Sequence, residues 1–244
     1  MKPPEPGKKP KPARRAQADA APAKPRKSRK EQAAETKERL KLATLAILER
    51  VGYRQMRIVD IAKEAGVAVG LFYHYFPDIK SITCEVLSDF MSAMTVDARQ
   101  SPRGDDLFQT LRAQYLILVR HFDNHPGLMR CMIQVSDEIP EFGEIWEQAN
   151  RKWTNSFARY LEKCMGGKGP SADVAVLMAY SLGSMADAMM YEYYVRKNPD
   201  LLSRIKSQEH LAKILAALTY RAVFLKNPDM GLPDENEWRG WDKG

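Results

Sequence analysis

Residues 58–76 read IVDIAKEAGVAVGLFYHYF, and this stretch decides the fold because it predicts two short helices separated by a glycine turn. An apolar face with the i, i+3, i+4, i+7 spacing of a helix runs through Ile58, Ile61, Ala62 and Ala65. Gly66 follows directly, and glycine readily adopts the backbone conformation in which a helix ends and the chain reverses. The stretch therefore has the layout of a helix-turn-helix.

The second helix of this pair is predicted to begin near Ala68 and to end before Pro77. Its buried stripe is expected to consist of Leu71, Phe72, Tyr75 and Phe76. The outward face then carries Val69, Gly70, Tyr73 and His74. In helix-turn-helix proteins the second helix lies in the major groove, so this stretch predicts a DNA-binding protein.

Short motifs on both sides of the turn extend the pattern. They occur in fixed order as Gly52-Tyr53, Asp60-Ile61-Ala62, Ala65-Gly66-Val67 and GLFYHYF at 70–76. This order and spacing resembles the TetR family of transcriptional regulators. The resemblance implies an all-α fold with an N-terminal helix-turn-helix head and a C-terminal helical domain. It also implies a homodimeric repressor that binds a near-palindromic DNA operator and is released by a small, largely apolar ligand.

Four positions that usually contact DNA in the family carry other residues here. They are Arg57 in place of a capping Ser or Thr, Ala68 in place of Ser, Leu71 in place of Thr, and Ile79 in place of Lys. An arginine cannot cap a helix, although it can still reach a phosphate. The family's usual contacts therefore do not transfer unchanged to this chain.

The expected DNA contacts fall into two groups. Phosphate contacts are expected from Arg57, Tyr73, His74 and Lys80. Contacts with base edges are expected from Val69, Gly70 and Leu71, next to Ala68 at the start of the helix. Gly70 lets the helix approach the duplex closely because it has no Cβ. The alternative interpretation makes Tyr73 a core aromatic residue and Gly70 a spacer.

Charge is distributed unevenly along the 244 residues. The net charge is +7, but residues 1–30 alone hold eleven Lys or Arg, two acidic residues and seven prolines. Such a segment buries too little apolar surface to fold, so residues 1–33 are predicted to be a disordered basic tail. The tail either contacts operator phosphates through residues such as Arg26 and Lys27 or only aids solubility. No apolar segment follows its basic residues as in a signal peptide, so a cytoplasmic protein without a membrane partner is expected.

Helical patterns continue to the end of the chain, and no strand pattern competes with them. The helix-turn-helix domain is predicted to span 34–80, a ligand-binding and dimerisation domain 81–226, and a C-terminal tail 227–244. Residues 174–194 are almost all apolar, which predicts a helix that is buried nearly all round. The last helix carries an apolar stripe from Leu211 to Leu225. These last two helices of each subunit are expected to form a four-helix dimer interface.

The predicted ligand pocket draws on Met and aromatic residues of the middle helices. The candidate ligand contacts are Tyr115, Met129, Met132, Trp146, Trp153, Tyr180, Met185 and Asp187. Ordinary core packing explains the apolar members of this set equally well. Asp187 is costly in an apolar helix, so it either pairs with a basic group, in the same subunit or across the dimer, or binds a polar group of the ligand.

Other kinds of site are weakly indicated. His121 and His125 stand four residues apart without a third ligand at a suitable spacing, so no metal is predicted. Cys84, Cys131 and Cys164 are widely spaced and are expected to be reduced. No catalytic motif or cofactor is recognised, so an enzyme is the least favoured interpretation. A closer alternative is a DNA-binding factor with the same scaffold but without a small-molecule inducer.

Overall fold

The architecture is helical, as predicted. A computed structural model describes residues 1, 28–101, 106–165 and 171–224, and within these ranges every regular element is a helix. Three helices form the N-terminal head: α1 (Arg29–Val51), α2 (Ile58–Glu64) and α3 (Val69–Tyr75). The body consists of α4 (Ile79–Gln100), α5 (Leu107–Asn124), α6 (Pro126–Val135), α7 (Pro140–Met165), α8 (Ala172–Met190), α9 (Pro199–Leu202) and α10 (Gln208–Phe224).

Several sequence-based expectations lie outside the described residues. They concern the basic tail before residue 28, the break at 102–104, the side chain of Cys164, Leu225 and the tail at 227–244.

The start of α1 corrects the boundary of the predicted tail. The helix begins at Arg29, so residues 29–33 are helical and do not belong to a disordered segment. Ser28 and Glu31 form a capping box, in which the backbone N–H of Glu31 donates to Ser28 Oγ at 3.2 Å and the N–H of Ser28 donates to Glu31 Oε2 at 2.7 Å. This reciprocal pair satisfies two backbone donors at the helix end and starts α1 before the predicted first turn.

The helix-turn-helix has the predicted turn, with one correction on its second helix. Gly66 has φ of +66°, the left-handed conformation that glycine adopts without strain. Phe72 and Phe76 of the predicted stripe are buried, and Tyr75 is half-buried. Leu71, which was expected in the same stripe, is 39% exposed. The reason is helical phase, because Leu71 lies about 100° around the helix from the buried Phe72, on the flank of the exposed His74.

Helix α4 joins the head to the body. It packs against α1 on one side and against α5 and α7 on the other. Asp78 caps its start by accepting a hydrogen bond from the backbone N–H of Ser81 at 2.7 Å. Lys37 of α1 donates to Glu85 of α4 at 2.8 Å, and a second ion pair joins Lys41 to Asp89. The head is therefore fixed to the first helix of the body along the length of α1.

In the body, α10 packs against α5, and α8 packs against α7. The buried hydroxyls of Tyr115 on α5 and Thr219 on α10 lie 2.7 Å apart and share a hydrogen bond. This bond gives two buried polar groups a partner, as an apolar interior requires.

Helix α8 is less buried in one chain than its composition predicts. Val174, Leu177 and Tyr180 are 44%, 65% and 44% exposed, so one subunit alone does not bury the helix nearly all round. The segment Ala172–Val195, which includes the π-helical turn after α8, is long and apolar enough to cross a membrane by length and composition alone, and it also fits a core helix. The unburied apolar face is a surface that a single chain leaves open.

Candidate nucleic-acid interface and ligand cavity

The recognition helix α3 presents one face to solvent. Val69, Leu71 and Tyr73 are 38%, 39% and 57% exposed, and Gly70 and His74 are also exposed. The Tyr73 ring only touches the edge of the buried Phe72 ring, with the two centroids 5.6 Å apart. Tyr73 is therefore not a core aromatic residue, and its hydroxyl is available to an external partner.

Gly70 has no structural requirement within its own chain. A Cβ built at this position meets no heavy atom within 4 Å, so a larger side chain would project into open space. Glycine inside a helix costs about 1 kcal/mol relative to alanine. A helix that carries this cost without an internal benefit is consistent with close approach to an external surface at this position.

The two short helices of the head start without side-chain caps. Arg57 and Ala68 occupy the N-cap positions of α2 and α3, and neither side chain accepts a capping hydrogen bond. Asp60 lies in the first turn of α2, where a negative charge favours the helix dipole. Both Arg57 and Ala68 are exposed. The guanidinium group of Arg57 does not cap α2 and is accessible to an external partner.

Lys80 has a partner inside the protein. Its Nζ donates to Glu141 Oε1 at 2.6 Å, at the start of α7. This contact lowers the pKa of Glu141 and raises that of Lys80, because each group favours the charged form of the other. This exposed ion pair joins the start of α4 to α7, and the phosphate contact expected of Lys80 stays a prediction. A second ion pair of the same kind joins Arg54 to Glu138.

A carboxylate at the end of α1 caps the start of α6. Glu49 accepts hydrogen bonds from the backbone N–H groups of Gly127 at 2.6 Å and Leu128 at 2.9 Å. The two helices approach so closely that a Cβ at Gly127 would lie 2.5 Å from the Glu49 Cα. Glycine at this position therefore makes the contact possible. We name this contact between α1 and α6 the head–body joint.

A cavity of about 410 Å³ lies between α4, α5, α6, α7 and α8. Five of the eight residues predicted to contact a ligand line it, and they come from four of these helices: Tyr115, Met129, Trp146, Trp153 and Asp187. Its volume falls in the range of pockets for drug-sized molecules. The sequence pattern thus identified part of the wall of a real cavity.

The other three predicted ligand contacts are corrected by their positions. None of Met132, Tyr180 and Met185 lines the cavity. Met132 is fully buried in the core, and Tyr180 is 44% exposed. Met185 is half-buried and packs against the core. Helical phase separates them from the lining residues, because a Met or aromatic residue on the right helix can still point away from the cavity.

Asp187 lines the cavity without a partner. No hydrogen bond or ion pair joins its carboxylate to another residue in the described part of the chain, so pairing within the subunit is not observed. Burial raises the pKa of Asp187 to about 7, because removing a carboxylate from water disfavours its charged form. The pKa of the buried Tyr115 phenol is raised to about 12, mainly by burial and to a smaller extent by the nearby charge of Asp187.

Two features of the cavity wall were not predicted from the sequence. The first is that three exposed basic residues belong to the wall: Arg99, Lys152 and Arg159. Gly183 lets Trp153 lie close to α8, because a Cβ there would be 3.1 Å from the indole ring. A single glycine in an apolar helix was the available signal for this contact.

Two histidines lie beside carboxylates, and two cysteines are at least partly buried. His121 Nε2 lies 3.0 Å from Asp97 Oδ2, and His125 Nδ1 lies 3.8 Å from Glu49 Oε1. Burial raises the pKa of the Cys131 thiol to about 12 and also raises that of the half-buried Cys84. Both thiols are therefore held in their protonated, unreactive form at neutral pH.

Two protein families match separate parts of the chain. Residues 42–83, which run from α1 into the start of α4, match the family described as "Bacterial regulatory proteins, tetR family". Residues 111–221 match the "Transcriptional regulator EthR, C-terminal domain", and together the two matches span more than half of the chain. The chain belongs to the TetR family of transcriptional regulators, which are DNA-binding proteins and not enzymes.

Individual relatives agree with this assignment. The HTH-type transcriptional regulator EthR of Mycolicibacterium smegmatis is 24% identical over 190 residues, which cover 76% of this chain and 84% of EthR. The HTH-type transcriptional repressor KstR of the same organism is 28% identical over 130 residues, covering 52% of this chain and 63% of KstR. Among solved structures, a transcriptional regulator from Rhodococcus sp. Rha1 superposes with a TM-score of 0.64 at 18% identity, over 77% of this chain and 97% of that chain.

Proposed function

We propose that this transcriptional regulator is a repressor that binds a near-palindromic operator as a homodimer and is released by a small, largely apolar ligand. The observation that carries the proposal is the exposed face of α3, which has apolar and aromatic side chains in water and a glycine without an internal role. Such a face is stable in a soluble protein, but its chemistry suits the major groove.

On the operator, Arg57, Tyr73 and His74 contact phosphates, and these contacts fix the position of the head. Val69, Gly70 and Leu71 lie against base edges, where apolar side chains meet thymine methyl groups. Lys80 belongs to the same set of phosphate contacts, because its exposed ion pair with Glu141 is weak enough to be exchanged for a phosphate contact.

Dimerisation uses the faces that one chain leaves open on α8 and α10. On α8 this face includes Leu177 and Tyr180, and on α10 it includes the half-buried Ile214 and Leu218 with the exposed Ala222. A symmetric pair of such faces removes apolar surface from water in both subunits. The two heads of a two-fold dimer then read two half-sites of an inverted repeat. A protein that binds an operator in this way acts in the cytoplasm, where the bacterial chromosome lies.

Release by a ligand follows from the position of α6. Met129 contributes to the cavity wall, and the neighbouring Gly127 and Leu128 bond to Glu49 of the head. A ligand that shifts α6 therefore acts on the head–body joint within one helical turn of its own binding site. It favours the conformation to which it binds more tightly, and the operator favours the other. The cavity favours this function over a DNA-binding factor of the same scaffold without an inducer.

Selection of bound sites from random duplex DNA at about physiological salt tests the DNA-binding part, because nonspecific phosphate binding is suppressed there. We expect an inverted repeat, a dimeric mass in solution, and about tenfold weaker operator binding for Tyr73→Phe, which loses one phosphate hydrogen bond. Phe keeps the ring, so the folded head is retained. Recovery of no motif, or a monomeric mass at micromolar concentration, would contradict the proposal.

A further inference from the structure

Asp187 is the only acidic residue among the described residues that line the cavity. The surrounding wall is largely apolar and includes Met129, Trp153, Phe157 and Ala186. An isolated carboxyl group in such surroundings costs free energy unless a hydrogen-bond donor meets it. Leucine or methionine would fill the same space without this cost.

The wall supplies no such donor to Asp187. Tyr115 also lines the cavity, but its hydroxyl shares a 2.7 Å hydrogen bond with Thr219 on α10. No other described residue donates to the carboxyl group. The donor therefore has to come from outside the described residues, and the cavity is the space from which a ligand can supply it.

The charge of the wall decides between a neutral and a cationic donor. Arg99, Lys152 and Arg159 belong to the cavity wall with their side chains exposed to solvent, and Asp187 is the one carboxyl group of the described wall. No ion pair with a described carboxylate neutralises these three cations. A net positive site disfavours entry of an ammonium group, whereas a hydroxyl group enters without this electrostatic penalty.

We propose that the ligand is a largely apolar molecule with a neutral hydroxyl group, and that this hydroxyl donates a hydrogen bond to Asp187. The inference rests on the ligand-binding function proposed above and specifies the chemistry of that site. The apolar part of the ligand contacts Met129, Trp153 and Phe157, and the hydroxyl fixes its orientation. Asp187 is thereby the residue that distinguishes an alcohol from an equally apolar molecule without a donor.

Three probes with one alkyl chain test the inference: dodecanol, its methyl ether, and dodecylamine. Trp146 and Trp153 line the cavity, so their fluorescence reports occupation, and titration calorimetry gives the dissociation constant. The titrations are made at about pH 8, where Asp187 is ionised and can only accept a hydrogen bond. We expect dodecanol to bind about tenfold more tightly than the ether, and more tightly than dodecylamine. Equal binding of dodecanol and the ether, or tightest binding of dodecylamine, would overturn the inference.

Two variants assign the effect to Asp187. Asp187→Leu should lower dodecanol binding to the level of the ether and leave the ether unchanged, whereas Asp187→Asn should keep the preference because its amide oxygen also accepts a hydrogen bond. A preference for dodecanol that persists in Asp187→Leu would contradict the assignment. Cooperative thermal unfolding of each variant shows that it is folded. Failure of all three probes to bind the wild-type cavity would contradict the ligand-binding function itself, and the hydroxyl inference with it.

Discussion

The exposed face of α3 and the wall of the cavity each contain one residue that the fold itself does not need. On α3 this residue is Gly70, which no neighbour requires to be small. In the cavity it is Asp187, which no neighbour partners. Both positions oppose stability, and both lie on a surface where an external molecule is proposed to bind.

The two free-energy costs differ in size because Gly70 is exposed to solvent and Asp187 lies in a largely apolar cavity. Glycine in a solvent-exposed helix loses only conformational entropy, about 1 kcal/mol relative to alanine. A carboxylate in an apolar cavity loses its hydration, which costs several kcal/mol unless the group takes up a proton. The comparison teaches that a binding residue is inexpensive on the DNA-facing surface and expensive in the cavity.

The largest expected change in the free energy of unfolding comes from Asp187→Asn, which removes the ionisable group but keeps the shape of the side chain. The pKa of Asp187 is raised from 3.8 to about 7 in the folded protein, so the folded state binds the proton more tightly than the unfolded state. Stability therefore falls as pH rises from about 4 to about 7, and the penalty is complete above that range. We expect the variant to be more stable than wild type by about 2–4 kcal/mol at pH values near 8, and by little near pH 4.

Urea unfolding at several pH values measures this difference. Arg99, Lys152, Arg159 and Tyr115 line the same cavity and are unchanged in the variant. Asp137→Asn is the matched control, because Asp137 is exposed and its substitution should change stability by less than about 0.5 kcal/mol. A variant that is less stable than wild type near pH 8 would show that Asp187 has a partner, such as a basic group of the second subunit.

The next effect concerns the head–body joint, which lies between the two compared regions. Glu49→Gln replaces a carboxylate that accepts two backbone hydrogen bonds by an amide with only one acceptor atom. We expect a loss of about 1–3 kcal/mol in the free energy of unfolding, because a backbone N–H at the start of α6 loses a charged partner.

Denaturant unfolding followed by circular dichroism measures the effect of Glu49→Gln. Glu38→Gln is the control on the same helix, since Glu38 is exposed and only forms a surface ion pair with Lys41 at 2.9 Å. Equal stability of the two variants would mean that the joint contributes nothing beyond an ordinary surface contact, and that the cavity and the head are not coupled through it.

The smallest expected effect on stability comes from Gly70→Ala, and it has the opposite sign to the effect on binding. Alanine should stabilise the folded head by about 0.5–1 kcal/mol, because it favours the helix and meets no neighbour. The same methyl group should weaken operator binding by about tenfold if α3 approaches the DNA closely at this position. Thermal unfolding and fluorescence anisotropy with the selected operator measure the two quantities. Unchanged affinity would make Gly70 a spacer.

The two regions also differ in how far the sequence predicted them. On the head, helical periodicity and the family motifs placed Val69, Gly70, Tyr73 and His74 on one face, because residues that are close in sequence are close on a short helix. Leu71 was assigned to two faces at once, and only the packing of α3 in the folded head decided that it is exposed.

Long-range contacts are what the sequence did not predict. Lys80 forms an ion pair with Glu141, which is distant in sequence. The same limit applies to Glu49, whose partners Gly127 and Leu128 are backbone groups without a sequence signature. Periodicity along one helix contains no information about which part of another helix it meets.

The sequence by itself determined the all-α class, the glycine turn, the outward face of α3 and the family, because each depends on residues within a few helical turns of one another. Only the tertiary structure decided that Asp187 faces the cavity without a partner, that three basic side chains share the wall with it, and that α8 leaves an apolar face open. Those properties depend on how five helices pack, since burial and charge at one position are set by neighbours that lie far away in the chain.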